Sequence, residues 1–364
     1  MLVTPPELAS GLEIHQGEAS AGTQRDIIVI GASAGGVEAL SILIRALPDS
    51  LSAAIFIVIH LPAHLPSMLP NILARISRLP VSAAQDNLPI RGGQVYIAPP
   101  DYHLLLEPGV MRLLHGPKEN RFRPAIDPLF RTAAKAYGPR VIGIVLTGSL
   151  DDGTSGLLAI KRHKGLAVVQ DPAEALFSSM PRSAITHVAV DHVVKLEEMA
   201  DLLSNLTQPA PEDDPARSDV ADLPEPKTPR ELELLQLDDS VSGTPSVFSC
   251  PECHGTLWEI QDGDMSRYRC RVGHRFSPES MLSEQMETLE TSLWSALKTL
   301  EEQAALLRRL AAQAQERNQG QMTARFTERI HETESRASLI RNVLLDGILT
   351  KPIDEFATSP QDEQ

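Results

Sequence analysis

One stretch limits what this chain can fold into more than any other: Asp26-Ile-Ile-Val-Ile-Gly-Ala-Ser-Ala-Gly-Gly-Val-Glu-Ala-Leu40. Ile27 to Ile30 are four apolar, β-branched residues in a row, the pattern of a strand buried on both faces of a parallel sheet. They run into Gly31-Ala-Ser-Ala-Gly-Gly36, after which Val37, Leu40, Leu43, Ile44 and Leu47 recur at helical spacing. A strand, a tight glycine turn and a helix lift the turn residue above the carboxyl edge of the sheet. That residue is Ser33. A dinucleotide fingerprint needs glycine where Ser33 stands, and a phosphate-binding P-loop needs a lysine where Val37 and Glu38 stand. Residues 31 to 35 do read G-x-S-x-G, the elbow that presents a nucleophilic serine. In that reading the backbone N–H groups of Ala34 and Gly35 are the nearest oxyanion donors. The bland reading is a strand–helix turn in which the serine caps the helix.

From Arg25 the chain alternates apolar runs with helical segments, the βαβ signature of a doubly wound α/β domain with a mostly parallel sheet. Ala53 to Ile59 is a second buried strand, ending at His60. Gln94 to Ala98 is a third, and Leu104–Glu107 with Val110–His115 reads as a hairpin split by Pro108-Gly109. Asp127 to Tyr137 is helical. Arg140 to Leu146 is a fourth buried strand that enters Thr147-Gly-Ser-Leu-Asp-Asp-Gly153, and a helix (Leu157–His163), a strand (Ala167–Gln170) and a short helix (Ser183–Val188) follow.

Chemistry in such sheets collects at the carboxyl ends of strands. The three strongest strands deliver Ser33, His60 and, past a glycine turn, Asp151 or Asp152: the residue types of a nucleophile, a base and an orienter. Singly, the histidine could simply end a strand and either aspartate could cap the next helix. Their order, Ser…His…Asp, is not that of the α/β-hydrolases. His103 follows a Pro-Pro turn and is a candidate to line the site. Arg123 and Asp127 read equally as substrate positioners or as a surface ion pair, and His64 ranks behind His60 as a base.

Residues 25–205 resemble the catalytic domain of the chemotaxis protein-glutamate methylesterases, the CheB family. The matching pieces are Ile30–Leu40, Ile59-His-Leu-Pro62, Ile97–Leu104, Arg123-Pro-Ala-Ile-Asp-Pro-Leu-Phe130, Leu146-Thr-Gly148 with Asp152-Gly153, and Gln170–Glu174 through Met180–Ala184. The resemblance implies a Ser33–His60–Asp152 triad, and it selects Asp152 over Asp151 because the family's aspartate directly precedes the loop glycine. It implies hydrolysis of glutamyl γ-methyl esters on methyl-accepting receptor helices, deamidation of certain glutamines, and no cofactor for catalysis. Two departures stand out. Ser149-Leu150 replaces the family's usual Met-Gly, which puts the loop path and its part in the oxyanion site in question. The 24 residues ahead of the domain cannot hold a receiver, so control by phosphorylation of an attached receiver is not expected.

All three cysteines lie in Cys250-Pro-Glu-Cys253 and Cys270, with His274 four residues on. C-x2-C…C-x3-H is the spacing of a tetrahedral structural zinc site, and an odd count argues against a disulfide framework. Isolated thiols or a redox pair are the competing reading, and His254 is a substitute ligand. Trp258, Tyr268 and Phe276 would fill the small core. Ser277-Pro278 then starts a helix. Leu282, Met286, Leu289, Leu293, Ala296, Leu300, Leu307 and Ala314 follow near-heptad spacing, and Met322, Phe326, Ile330, Ala337, Ile340 and Leu344 resume it. This predicts a helical hairpin or coiled coil, usable for self-association.

The expected organisation is a leader (1–24), catalytic domain (25–206), acidic Pro-rich linker (207–247), zinc knuckle (248–276), helical hairpin (277–348) and disordered tail (349–364). The formal charge of −15 sits largely outside the first domain: 207–247 carry ten acidic and three basic residues. That balance argues against nucleic-acid binding. No run is long enough to span a bilayer and no signal pattern opens the chain, so a cytoplasmic protein without membrane insertion is expected. The rival function is a weakly active or inactive scaffold that keeps the fold and binds receptors or signalling partners; the altered Ser149-Leu150 loop keeps it open.

Overall fold

The computed structural model describes residues 24–60, 67–208 and 243–345. The expected leader, most of the linker, the tail and His64 lie outside them. The described chain forms two compact units: the residues up to His115 with those from Ile126 through the first domain, and Gly116–Ala125 with the C-terminal residues.

The first unit is a seven-stranded sheet in the order β3-β4-β2-β1-β7-β8-β9, every pair parallel. Its central strands are β1 (Ile27–Ala32), β2 (Ala54–Ile59) and β7 (Val141–Val145), flanked by β4 (Val95–Ile97) and β8 (Leu166–Gln170). All three central strands are buried along their whole length, as their near-continuous apolar runs require. Alternate residues face opposite layers. Ile28, Ile30, Ile55 and Ile57 pack with Leu40 and Leu43 of α1 (Gly36–Ala46) and Met199 and Leu203 of α6 (Leu196–Leu206). Ile27, Val29, Phe56 and Val58 pack with Leu129 and Phe130 of α3 (Ile126–Tyr137), Leu157 of α4 (Thr154–Arg162) and Met180 of α5 (Ser179–His187). This is the doubly wound α/β fold. The hairpin β5–β6 (His103–Glu107, Val110–Leu114) stands apart as a two-stranded sheet. The edge strands β3 (Val81–Ala83) and β9 (His192–Val194), the helix α2 (Leu69–Ala74) and α6 go unread in the sequence; three-residue strands hold too little pattern to stand out.

In the second unit β10 (Thr244–Ser249), β11 (Thr256–Asp262), β12 (Met265–Cys270) and β13 (Arg275–Phe276) form an antiparallel sheet. Leu257, Phe276, Met281, Cys250 and Cys270 are its core, with Tyr268 packed against it; Trp258 is only half-buried. The decapeptide Gly116–Ala125 belongs here. Lys118 pairs with Glu252, Asn120 N–H donates to Arg275 O, and the Arg121 guanidinium meets Glu284 and Glu287. Ser277 caps α7 (Pro278–Glu316), its hydroxyl accepting from Ser280 N–H, with Pro278 in the first turn. The helix α8 (Gly320–Leu345) runs antiparallel to α7, as the ion pairs Arg308–Glu334 and Glu301–Arg341 require. The seam is Leu293, Leu297, Leu300, Ala337, Ile340 and Leu344. Leu282, Leu289 and Met322 of the expected stripe are exposed instead, because the seam turns with the 3-4 spacing through Leu297, which lies outside that stripe.

Candidate active site

The central strands explain how three residues distant in sequence meet. Ser33 follows β1 by one residue and His60 follows β2 by one; Asp152 sits in the loop leaving β7. Since β2, β1 and β7 are neighbours in a parallel sheet, all three emerge at one carboxyl edge. Ser33 Oγ lies 3.0 Å from His60 Nδ1, and His60 Nε2 lies 2.7 Å from Asp152 Oδ2. The histidine and aspartate side chains are 3% and 2% exposed, so the hydrogen bond between them is shielded from water. A carboxylate accepts, which puts the ring proton on Nε2 and leaves the Nδ1 lone pair facing the hydroxyl. The ring is thus turned relative to the serine proteases, where Nε2 faces the serine.

Ser33 does not cap α1. The residue at that cap is Gly35, in the left-handed region at φ 74°, and it makes no side-chain cap. A Cβ there would also come within 3.2 Å of both Leu176 and Thr147 Oγ1, so the turn needs glycine twice over. The turn is pinned by Thr147, whose role the Leu146-Thr-Gly148 motif does not reveal. Ser33 N–H donates to Thr147 O at 3.0 Å, Thr147 Oγ1 donates to Ala34 O at 3.0 Å, and Thr147 N–H donates to Gln170 Oε1 at 2.8 Å. The N–H groups of Ala34 and Gly35 take no partner among the described residues. They remain free to meet an oxyanion.

Asp152 is held by backbone. Its Oδ2 also accepts from Ile126 N–H at 2.7 Å, and Oδ1 accepts from Asp127 N–H at 3.3 Å and Gly153 N–H at 3.0 Å. Asp127 itself is buried, 1% exposed at the start of α3. Leu150 takes φ 63°, the left-handed conformation, at the position where the family usually has glycine. The loop keeps a glycine-like path at a cost of about 1–2 kcal/mol. His103 is wholly buried at the start of β5, opposite Leu114.

The CheB methylesterase family model matches residues 28–203. A Leptospira interrogans protein, provisionally named a protein-glutamate methylesterase/protein-glutamine glutaminase, is 42% identical over 184 residues, 50% of this chain and 95% of that protein. The chain belongs to the CheB methylesterase family. A second relative, protein-glutamate methylesterase/protein-glutamine glutaminase 2 of Anaeromyxobacter dehalogenans, is 40% identical over 50% of this chain and 54% of its own length. The crystal structure of the Thermotoga maritima CheB methylesterase catalytic domain is 33% identical, with a TM-score of 0.49, over 50% of this chain and 100% of that one.

The CheB match stops before the cysteines, so that cluster stands on its own geometry. Cys250, Cys253, Cys270 and His274 bring their ligand atoms within 4.8 Å of one another. Cys253 and Cys270 Sγ are 3.6 Å apart, and His274 Nδ1 lies 3.7 Å from Cys250 Sγ and 3.4 Å from Cys270 Sγ. Tetrahedral zinc with ordinary bond lengths separates two sulfurs by about 3.8 Å and a sulfur from a nitrogen by about 3.6 Å. The donor set therefore fits. Burial pushes the Cys250 thiol up to about 12 and the His274 imidazole down. A dry pocket holds that thiol protonated unless a cation takes its place, while the imidazole is kept neutral, as a ligand must be. His254 is exposed and outside the cluster, with its N–H donating to Cys250 O.

Proposed function

We propose that this chain is a protein-glutamate methylesterase acting on the γ-methyl esters of methyl-accepting receptor helices, with glutamine deamidation by the same route. The observation that carries the reading is the relay of hydrogen bonds from Ser33 Oγ through His60 to Asp152. A serine hydroxyl is a weak nucleophile at neutral pH unless a base takes its proton as it attacks. His60 Nδ1 takes that proton, and the Ser33 oxygen bonds to the ester carbonyl carbon. The tetrahedral oxyanion is met by the N–H groups of Ala34 and Gly35. His60 returns the proton to the departing methoxide, which leaves as methanol. Asp152 keeps the ring in the required tautomer and stabilises its positive charge. Water, deprotonated by His60, then attacks the acyl-enzyme, releasing glutamate and restoring Ser33. With glutamine as substrate the leaving group is ammonia. Each step uses only side chains and backbone of this chain.

Cys250, Cys253, Cys270 and His274 would hold zinc as a structural ion, since four protein ligands leave no open position for chemistry. Cysteines grouped with His274 for a metal rather than paired in a disulfide support a cytoplasmic site of action; among the described residues no helix is long and apolar enough to cross a membrane. Exposed Leu289, Trp294 and Leu306 on α7 support self-association through the helical hairpin.

The decisive experiment measures methanol release from a receptor fragment carrying γ-methyl glutamate. Ser33→Ala is expected to abolish it with the fold retained; an undiminished rate rejects the assignment and leaves the scaffold reading.

A further inference from the structure

Asp127 is a buried carboxylate that no step above uses. It lies in the first turn of α3, yet its Oδ1 reaches α4, accepting from Gly156 N–H at 2.7 Å and Gly153 N–H at 3.1 Å. The residue at the α4 cap is Gly153, which has no side chain to offer the open N–H groups there. Asp127 takes over that task from another helix. Asp152 does the converse: from the loop ahead of α4 it accepts from Ile126 and Asp127 N–H, the first residues of α3. Each helix start is thus capped by a carboxylate borrowed from the other, and one of the two also holds His60. Gly156 lets the helices come this close. A Cβ there would sit 2.5 Å from Phe130 Cβ and 3.1 Å from Asp127 Oδ1.

We infer that Asp127 is a positioning residue for catalysis: by holding Gly153 and Gly156 N–H it fixes the loop that aims Asp152 at His60. The relay is sensitive to such aim, because an orienting group displaced by about 1 Å can cost about 100-fold in rate. When Asp127 is truncated, Gly156 N–H loses its acceptor and Gly153 N–H is left with Asp152 Oδ1 alone, at 3.0 Å. The cheapest relief is for the start of α4 to shift or admit water, carrying Asp152 away from the imidazole.

The inference rests on the methylesterase reading, and the test separates the two. Methanol release from the γ-methyl glutamate fragment is measured for the full chain and for Asp127→Ala, Asp127→Asn, Asp152→Ala and the Asp127→Ala/Asp152→Ala pair, with Ser33→Ala as baseline. Asp127→Ala is expected to lower kcat about 100-fold with KM little changed. Asp127→Asn keeps an oxygen that accepts from both N–H groups, and is expected to stay within about fivefold of the parent. In the Asp152→Ala background Asp127→Ala is expected to cost less than about threefold, because there is no carboxylate left to aim. Full activity in folded Asp127→Ala overturns the inference, as does an equal loss in both backgrounds, or an asparagine variant as impaired as the alanine one. If the alanine variant does not fold, Asp127→Leu, which fills the space and offers no acceptor, takes its place, and a parental kcat there is equally fatal. A parental rate in Ser33→Ala instead removes the methylesterase reading itself.

Discussion

Asparagine at position 152 makes a sharp test, because an amide must choose which of its two ends faces the histidine. With nitrogen in the Oδ2 place it would confront Ile126 N–H and His60 Nε2–H, forfeiting the two contacts at 2.7 Å. With nitrogen in the Oδ1 place it confronts Asp127 N–H, a long contact at 3.3 Å, and Gly153 N–H, which keeps Asp127 Oδ1 at 3.1 Å. The second orientation forfeits less and is the one expected. It leaves an oxygen accepting from Nε2–H, so the imidazole keeps the tautomer it needs. The remaining loss is that of a charged acceptor replaced by a neutral one, about 1–2 kcal/mol of barrier or about 5–30-fold in kcat. Folding stability should fall by about 1–3 kcal/mol from the opposed donors. Serine-protease triads, where asparagine imposes the wrong tautomer, lose about 10⁴ in kcat. Steady-state methanol release under saturating substrate distinguishes the two. A loss near 10⁴ in a folded Asp152→Asn protein would falsify the claim that backbone donors decide which end faces His60.

The C-terminal unit offers two more tests. Purified protein should carry about one zinc per chain by atomic emission; Cys270→Ser should lose it and lower the unfolding temperature of the C-terminal unit, and equal stability with and without chelator would speak against a structural ion. Light scattering should find an oligomer that Leu289→Glu with Trp294→Glu disperses; a monomer at tens of micromolar would remove self-association.

The legible part of this structure was the part set by runs and ends. Ile27–Ile30, Ala53–Ile59 and Arg140–Leu146 each announce a doubly buried strand, and the residue types at their carboxyl ends point to Ser33, His60 and an aspartate. Spacing alone likewise grouped Cys250, Cys253, Cys270 and His274. What stayed hidden depends on partners far off in sequence. The cap that Asp127 lends to α4 spans up to 29 residues and has no periodicity. Thr147 and Asp127 both lay inside recognised motifs, but a motif does not say which backbone group a side chain will meet. Leu289 fits the expected near-heptad while Leu297 lies in the seam, because such a pattern can be read in more than one phase when Ala and Leu alternate.

Gly116–Ala125 bears on how the molecule can be cut. Residues on both sides of it belong to the first unit, so no single scissile point in the polypeptide yields two complete halves. A truncated protein ending after α6 would keep this decapeptide but strip Lys118 of Glu252 and Arg121 of Glu284, stranding two cations that were matched in the parent. The kinetics of such a fragment would describe a different molecule, and only excision or charge reversal within 116–125 would make a fair comparison.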